Sequence, residues 1–220
     1  RNLIPAEILD QFVQANLHLA KEGRRVRNIV FMGMGEPFHN EPNVYSTLEI
    51  LQNKECFQHS PAQISVSTVG IPDAMQRFAN AAPGVHLALS LHSAKQTSRE
   101  QIIPLASRYD LDSLHQAVEA VGRQQGQAVM IEYLMLAGIN DGPDDLDALD
   151  RWVQGLDVHI NLIPYNEIPD AAELKPTPKP QREAFANELK ARGHTVTLRY
   201  SLGADVTAAC GQLVREENQR

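Results

Sequence analysis

Cysteine is scarce in this chain of 220 residues, which holds only Cys56 and Cys210. Two thiols build no disulfide framework, fit a reducing compartment and are too few to hold an iron–sulfur cluster by themselves. Histidine does not make up the difference. His39, His86 and His159 have no partner at metal-ligand spacing, so no residue of the chain is assigned to a metal. Long apolar runs are missing as well. None approaches the ~20 residues of a membrane span, so no membrane partner is expected. The N-terminus, Arg1-Asn2-Leu3-Ile4-Pro5, is neither a signal nor a transit peptide, and a cytoplasmic location is expected. Positive charge is in deficit, with 20 Lys and Arg against 27 Asp and Glu, a formal net charge of -7. That balance excludes a chain that grips nucleic acid through bulk electrostatics, though not one with local basic spots or a basic partner domain. Repeats and low-complexity linkers are also absent, so residues 1–220 read as one domain with its own core.

What the chain does have is alternation. Apolar, β-branched runs at 28–32, 62–68, 85–91, 129–135, 158–163 and 194–200 predict strands. Between them, helical spacing predicts helices over 5–20, over 43–53 with Asn43 as cap, from Pro72 to Ala79, around Leu114, Val118 and Val121, after Asp141, and over 181–192. A polar loop is expected from 92 to 104. Six strands alternating with helices are the pattern of a parallel α/β sheet. Spacing alone leaves open a doubly wound sheet and a full or partial barrel. In either, polar residues at the ends of the strands converge on one face.

The organising stretch is Phe31-Met32-Gly33-Met34-Gly35-Glu36-Pro37, at the end of the first predicted strand. Its glycines let a backbone approach a ligand closely, and Pro37 restricts Glu36 to an extended conformation. Glu36 then stands where a cationic group such as an ammonium could be held; the plainer reading is a turn with a solvated carboxylate. Ser67, Thr68, Ser90, His92, Glu132, Asn161 and Asn166 occupy the other strand ends. Small hydroxyls and amides there suit a polar cofactor, although each taken singly reads equally as a turn cap. Cys210 sits among small residues, Ala208-Ala209-Cys210-Gly211, which leave a thiol accessible to a bulky substrate. Cys56 has no such surroundings and reads as structural.

Six segments, taken in order, resemble one family. They are Gly33-Met34-Gly35-Glu36-Pro37, Ile64-Ser65-Val66-Ser67-Thr68, Ala88-Leu89-Ser90-Leu91-His92, Glu132-Tyr133-Leu134-Met135-Leu136, Leu162-Ile163-Pro164-Tyr165-Asn166 and Ala208-Ala209-Cys210-Gly211-Gln212-Leu213. Their order and rough spacing are similar to those of the RlmN/Cfr radical S-adenosylmethionine RNA methyltransferases, from Arg1 to about Leu213. The resemblance implies a partial (β/α)6-type barrel of parallel strands whose first strand precedes this chain. It implies S-adenosylmethionine as cofactor, with Gly35 and Glu36 at its methionine ammonium. Ser67, Ser90, His92 and Asn166 would line the rest, and Leu91 would contribute backbone. Cys210 would carry the S-methylcysteine through which a methyl-derived carbon reaches an adenine carbon, C2 ahead of C8. The partners implied are 23S rRNA, with tRNA as a further candidate, and a reductase for a [4Fe–4S] cluster; a monomer is expected.

One departure from the family pattern bears on the chemistry. The Cys-x₃-Cys-x₂-Cys loop that holds the family's cluster does not occur here. The expectation is a fragment whose cluster loop, second catalytic cysteine and accessory domain lie upstream, and which does not turn over alone. The competing reading is a non-catalytic S-adenosylmethionine or nucleoside-binding module that has lost the cluster.

Overall fold

The computed structural model describes residues 1–167, 171 and 173–199. Cys210 therefore lies outside the described residues. Six strands form one sheet: β1 (Ile29–Phe31), β2 (Ile64–Thr68), β3 (His86–Ser90), β4 (Val129–Met135), β5 (Val158–Pro164) and β6 (Thr195–Leu198). Their spatial order is their chain order, and every neighbouring pair is parallel. Between them run α2 (Glu41–Gln52), α3 (Pro72–Ala81), α4 (Gln96–Ile102), α5 (Leu111–Gln125), α6 (Pro143–Val153) and α7 (Lys179–Ala191), while α1 (Pro5–Ala20) precedes the sheet.

The strand order settles what spacing left open. A doubly wound sheet reverses its order at a switch point, and this one does not. Right-handed crossovers in a monotonic order put every helix on the same side. The sheet is therefore a segment of a barrel, with one face covered by helices and one facing a lumen.

The two faces are written in the sequence as alternating positions. One set, Ile64, Val66, Leu87, Leu89, Ile131, Tyr133, Ile160, Leu162 and Val196, joins the buried core under the helices. The other set carries Ser65, Ser67, Ser90, Glu132, Asn161 and Thr197. Register aligns Ser90 with Glu132, Glu132 with Asn161, and Asn161 with Thr197, a polar row across four strands.

The predicted helix at 43–53 begins earlier. Asn40 is at its N-cap and Pro42 lies in its first turn, where a missing N–H costs nothing. The expected loop at 92–104 contains α4. Periodicity did not reveal that helix because the buried residue it presents is a charged one, Arg99. Asp110 caps α5 as its side chain accepts from the Ser113 N–H at 2.7 Å, and Gly126 closes it with φ 63°. No helix among the described residues is long and apolar enough to cross a membrane.

Candidate cofactor site

Glu36 follows β1 and is held at both oxygens. Oε1 accepts from the Phe38 N–H at 3.0 Å, capping the short 3-10 turn Pro37–His39. Oε2 accepts from the Val69 N–H at 2.8 Å, just past the end of β2. The carboxylate is thus a fixed strut between two strand ends, not a solvated turn residue, and its remaining lone pairs stay available to a cation. Beside it, a Cβ built on Gly33 or Gly35 would meet nothing within 4 Å. Gly35 has φ +89°, a conformation that disfavours any side chain.

On the next two strands the Ser67 and Ser90 hydroxyls are 3.3 Å apart on the lumen face. The chain then turns at Leu91 and His92. Leu91 has its side chain fully buried in the core. Its backbone N–H donates to the Glu132 carbonyl at 3.1 Å, and its own carbonyl accepts from Ser93 at 2.7 Å.

His92 adopts a left-handed backbone with φ 57°, rare outside glycine and a mark of a position held by its surroundings. Its N–H donates to the Glu132 carbonyl at 3.2 Å. Its ring Nδ1 accepts from the Leu134 N–H at 3.1 Å, which puts the ring proton on Nε2 and points the imidazole as a neutral donor. Burial, aided by the nearby Arg99 cation and opposed by a backbone hydrogen bond, pushes the His92 pKa down to about 4. Asn140 completes the arrangement. Fully buried, it donates from Nδ2 to the His92 and Leu134 carbonyls, each at 2.6 Å. Its Oδ1 accepts from the Leu136 N–H at 2.8 Å.

Glu132 is buried between Ser90 and Asn161, and Asn161 Nδ2 donates to its Oε1 at 3.0 Å. Burial raises its pKa, while the Asn161 bond and the charge of Arg199 act against the rise. His159 Nε2 and Thr197 Oγ1 meet at 2.8 Å on the same face. Asn166 stands two residues past β5, partly buried.

Glu36, Ser67, Ser90, Leu91, His92 and Asn166 thus all sit at the carboxyl ends of strands β1, β2, β3 and β5, the end at which α/β barrels place ligands. Arg99 and Asn140 were not anticipated from the sequence. A polar residue whose task is to hold backbone carbonyls leaves no periodic signal.

Gly70, which follows Val69, has φ +100°, and a Cβ there would lie 2.6 Å from Leu114 Cδ2 and 2.9 Å from Leu89 Cδ1. Gly70→Ala is therefore expected to lower stability by about 2–3 kcal/mol through overpacking and backbone strain, read as a lower urea midpoint at unchanged slope. A midpoint within error of the parent would show that Leu89 on β3 and Leu114 on α5 yield freely there.

Among the described residues no group of three His, Cys, Asp or Glu side chains could hold a metal ion. A polar, zwitterionic nucleoside is a better match to the donors present. A pinned carboxylate beside open glycines suits an ammonium, and two hydroxyls and an imidazole N–H suit the rest of such a molecule.

The monotonic parallel sheet with its polar strand-end cluster defines a partial-barrel α/β protein with a ligand site at its carboxyl end. A radical SAM methyltransferase from Sphaerobacter thermophilus has the same fold with TM-score 0.93 and 37% identity, over 96% of this chain and 62% of that one. A probable RNA methyltransferase of Rhodopirellula baltica is 51% identical over all 220 residues. A probable dual-specificity RNA methyltransferase RlmN of Thermus thermophilus is 42% identical over 213 residues, 97% of this chain. Along its whole length the chain is thus similar to RlmN-type RNA methyltransferases and to a solved radical SAM methyltransferase. It spans 58% of the Rhodopirellula protein and 60% of the Thermus one. No protein-family model matches it.

Proposed function

We propose that this chain is the S-adenosylmethionine-binding part of an RNA methyltransferase. Through S-methylated Cys210, that enzyme would transfer a methyl-derived carbon to an adenine carbon, C2, of 23S rRNA, with tRNA as a further substrate. The observation that supports it most is the gathering of Glu36, Ser67, Ser90 and His92 at neighbouring strand ends, with the Ser67 and Ser90 hydroxyls 3.3 Å apart.

In this reading Gly35 and Glu36 take the methionine ammonium of the cofactor. Ser67, Ser90, neutral His92 and Asn166 line the remainder, and Leu91 contributes backbone. A carbon of an adenine ring is a weak nucleophile, and the bound cofactor supplies the reactive carbon that direct methyl transfer cannot. The protein's own part is to fix that molecule in a lumen walled by Glu132, Asn161 and Thr197, and to present Cys210 as the methyl carrier.

The test is made on the full-length protein that contains this chain, purified anaerobically. The peptide bearing Cys210 is expected to carry a methyl adduct by intact mass, and Cys210→Ala is expected to lose all methylated RNA product. Full activity without Cys210 would rule out the carrier role.

A further inference from the structure

Arg99 is a fully buried guanidinium that the reading above does not use. It projects from the short helix α4 and donates from Nη2 to the Val69 carbonyl. Its Nε and Nη1 have no hydrogen-bond partner among the described residues. Burying a cation with so few partners is unfavourable, and one backbone carbonyl offsets little of that as packing alone. What distinguishes that carbonyl is its residue. The N–H of the same Val69 holds Glu36 Oε2 at 2.8 Å. Residue 69 is thus gripped at its carbonyl by Arg99, and it grips the Glu36 carboxylate with its amide. Gly70, next in the chain, has no side chain to keep Arg99 away: a Cβ there would lie 3.4 Å from Arg99 Nη2.

We infer that Arg99 is a positioning residue for Glu36, acting through the backbone of Val69. The inference rests on the reading of Glu36 as the group that takes the cofactor's ammonium. Among the described residues two N–H donors hold the carboxylate, which keeps its direction when both stay put. Phe38 is fixed by its own 3-10 turn. Val69 lies beyond the last paired residue of β2, Thr68, where no ladder hydrogen bond fixes it. Arg99 supplies the missing anchor, and its charge polarises the bond chain toward the carboxylate.

The experiment is a double-mutant cycle on the full-length protein, with S-adenosylmethionine affinity measured by calorimetry and stability by urea unfolding. Glu36→Gln is expected to weaken binding at least tenfold. Arg99→Met is expected to weaken it about tenfold, with turnover at saturating cofactor changed far less. Arg99→Lys, which keeps a cationic donor, is expected to recover most of the affinity. On the Glu36→Gln background both Arg99 substitutions are expected to cost no further affinity, because the group they position has lost its charge. Losses that multiply on that background, or unchanged affinity in Arg99→Met, overturn the inference. If the methionine variant does not fold, Arg99→Gln, which removes the charge but stays polar, takes its place in the cycle under the same criterion. Unchanged affinity in Glu36→Gln is a different failure: it removes the ammonium role of Glu36 itself.

Discussion

Asn140→Ala is expected to unfold in urea with a stability about 4 kcal/mol below that of the parent. The side chain lost is fully buried and makes three hydrogen bonds, to the His92 and Leu134 carbonyls and from the Leu136 N–H. Alanine leaves all three backbone groups buried without that partner, at about 1–3 kcal/mol each before relaxation. Asn140→Asp separates the parts. It keeps an acceptor for Leu136 but has no donor for the two carbonyls, so it is expected to recover little. The loss should extend to His92, whose left-handed backbone is held in place by the Asn140 bond to its carbonyl. An Asn140→Ala protein within about 1 kcal/mol of the parent would mean that water or a backbone shift replaces the amide, and that His92 is held by Leu134 and Glu132 alone.

The architecture was legible because its signal is apolar. Each strand buries one set of alternate residues under helices, so runs such as Val129-Met130-Ile131 or Val158-His159-Ile160 announce themselves. Strand order was not legible. Nothing local in Ile64–Thr68 states that it pairs β1 on one side and β3 on the other. Helix α4 was missed for a physical reason: the buried side chain it presents, Arg99, is of the type that periodicity scores as surface. The cap of α2 moved from Asn43 to Asn40 because two asparagines stand three apart, and Pro42 prefers the first turn over the position before it.

The placement of the candidate residues at strand ends could be read because the topology puts strand ends together whatever their details. Glu36, Ser67 and Ser90 needed only that rule. The residues that hold them did not follow from it. Asn140 carries no local sign of its role, and only the fold brings its amide against His92, 48 residues earlier. Glu36 itself admitted two readings, a holder for a cation and a solvated turn carboxylate. As an isolated carboxylate after a glycine it looks solvated, whereas two backbone donors hold it between the ends of β1 and β2.

His92 should give the protein a measurable acid limb. Its pKa lies near 4 in the folded chain against an ordinary value of 6.5, chiefly through burial. Between those two values the unfolded chain binds a proton that the folded one refuses, so stability rises with pH across this window and is lost as pH falls through it. The full loss is about 3 kcal/mol, from about 1.4 kcal/mol per pH unit, and it levels off below pH 4. Glu132 works in the opposite sense: burial raises its pKa, so acid stabilises the folded form there. Asp150, held low first by its bond to His194, adds a loss of its own at lower pH. The contribution of His92 is therefore read as a difference, parent minus His92→Asn, in urea stability from pH 8 to pH 4. The difference is expected to be flat above about pH 7 and to fall steadily below pH 6.5, by about 3 kcal/mol in all. Protonation also places a hydrogen on Nδ1, where the Leu134 N–H now donates, so the same window should show that amide losing its hydrogen-exchange protection. A difference curve without slope would mean that the imidazole takes its proton as easily folded as unfolded, and that the Leu134 bond does not fix its tautomer.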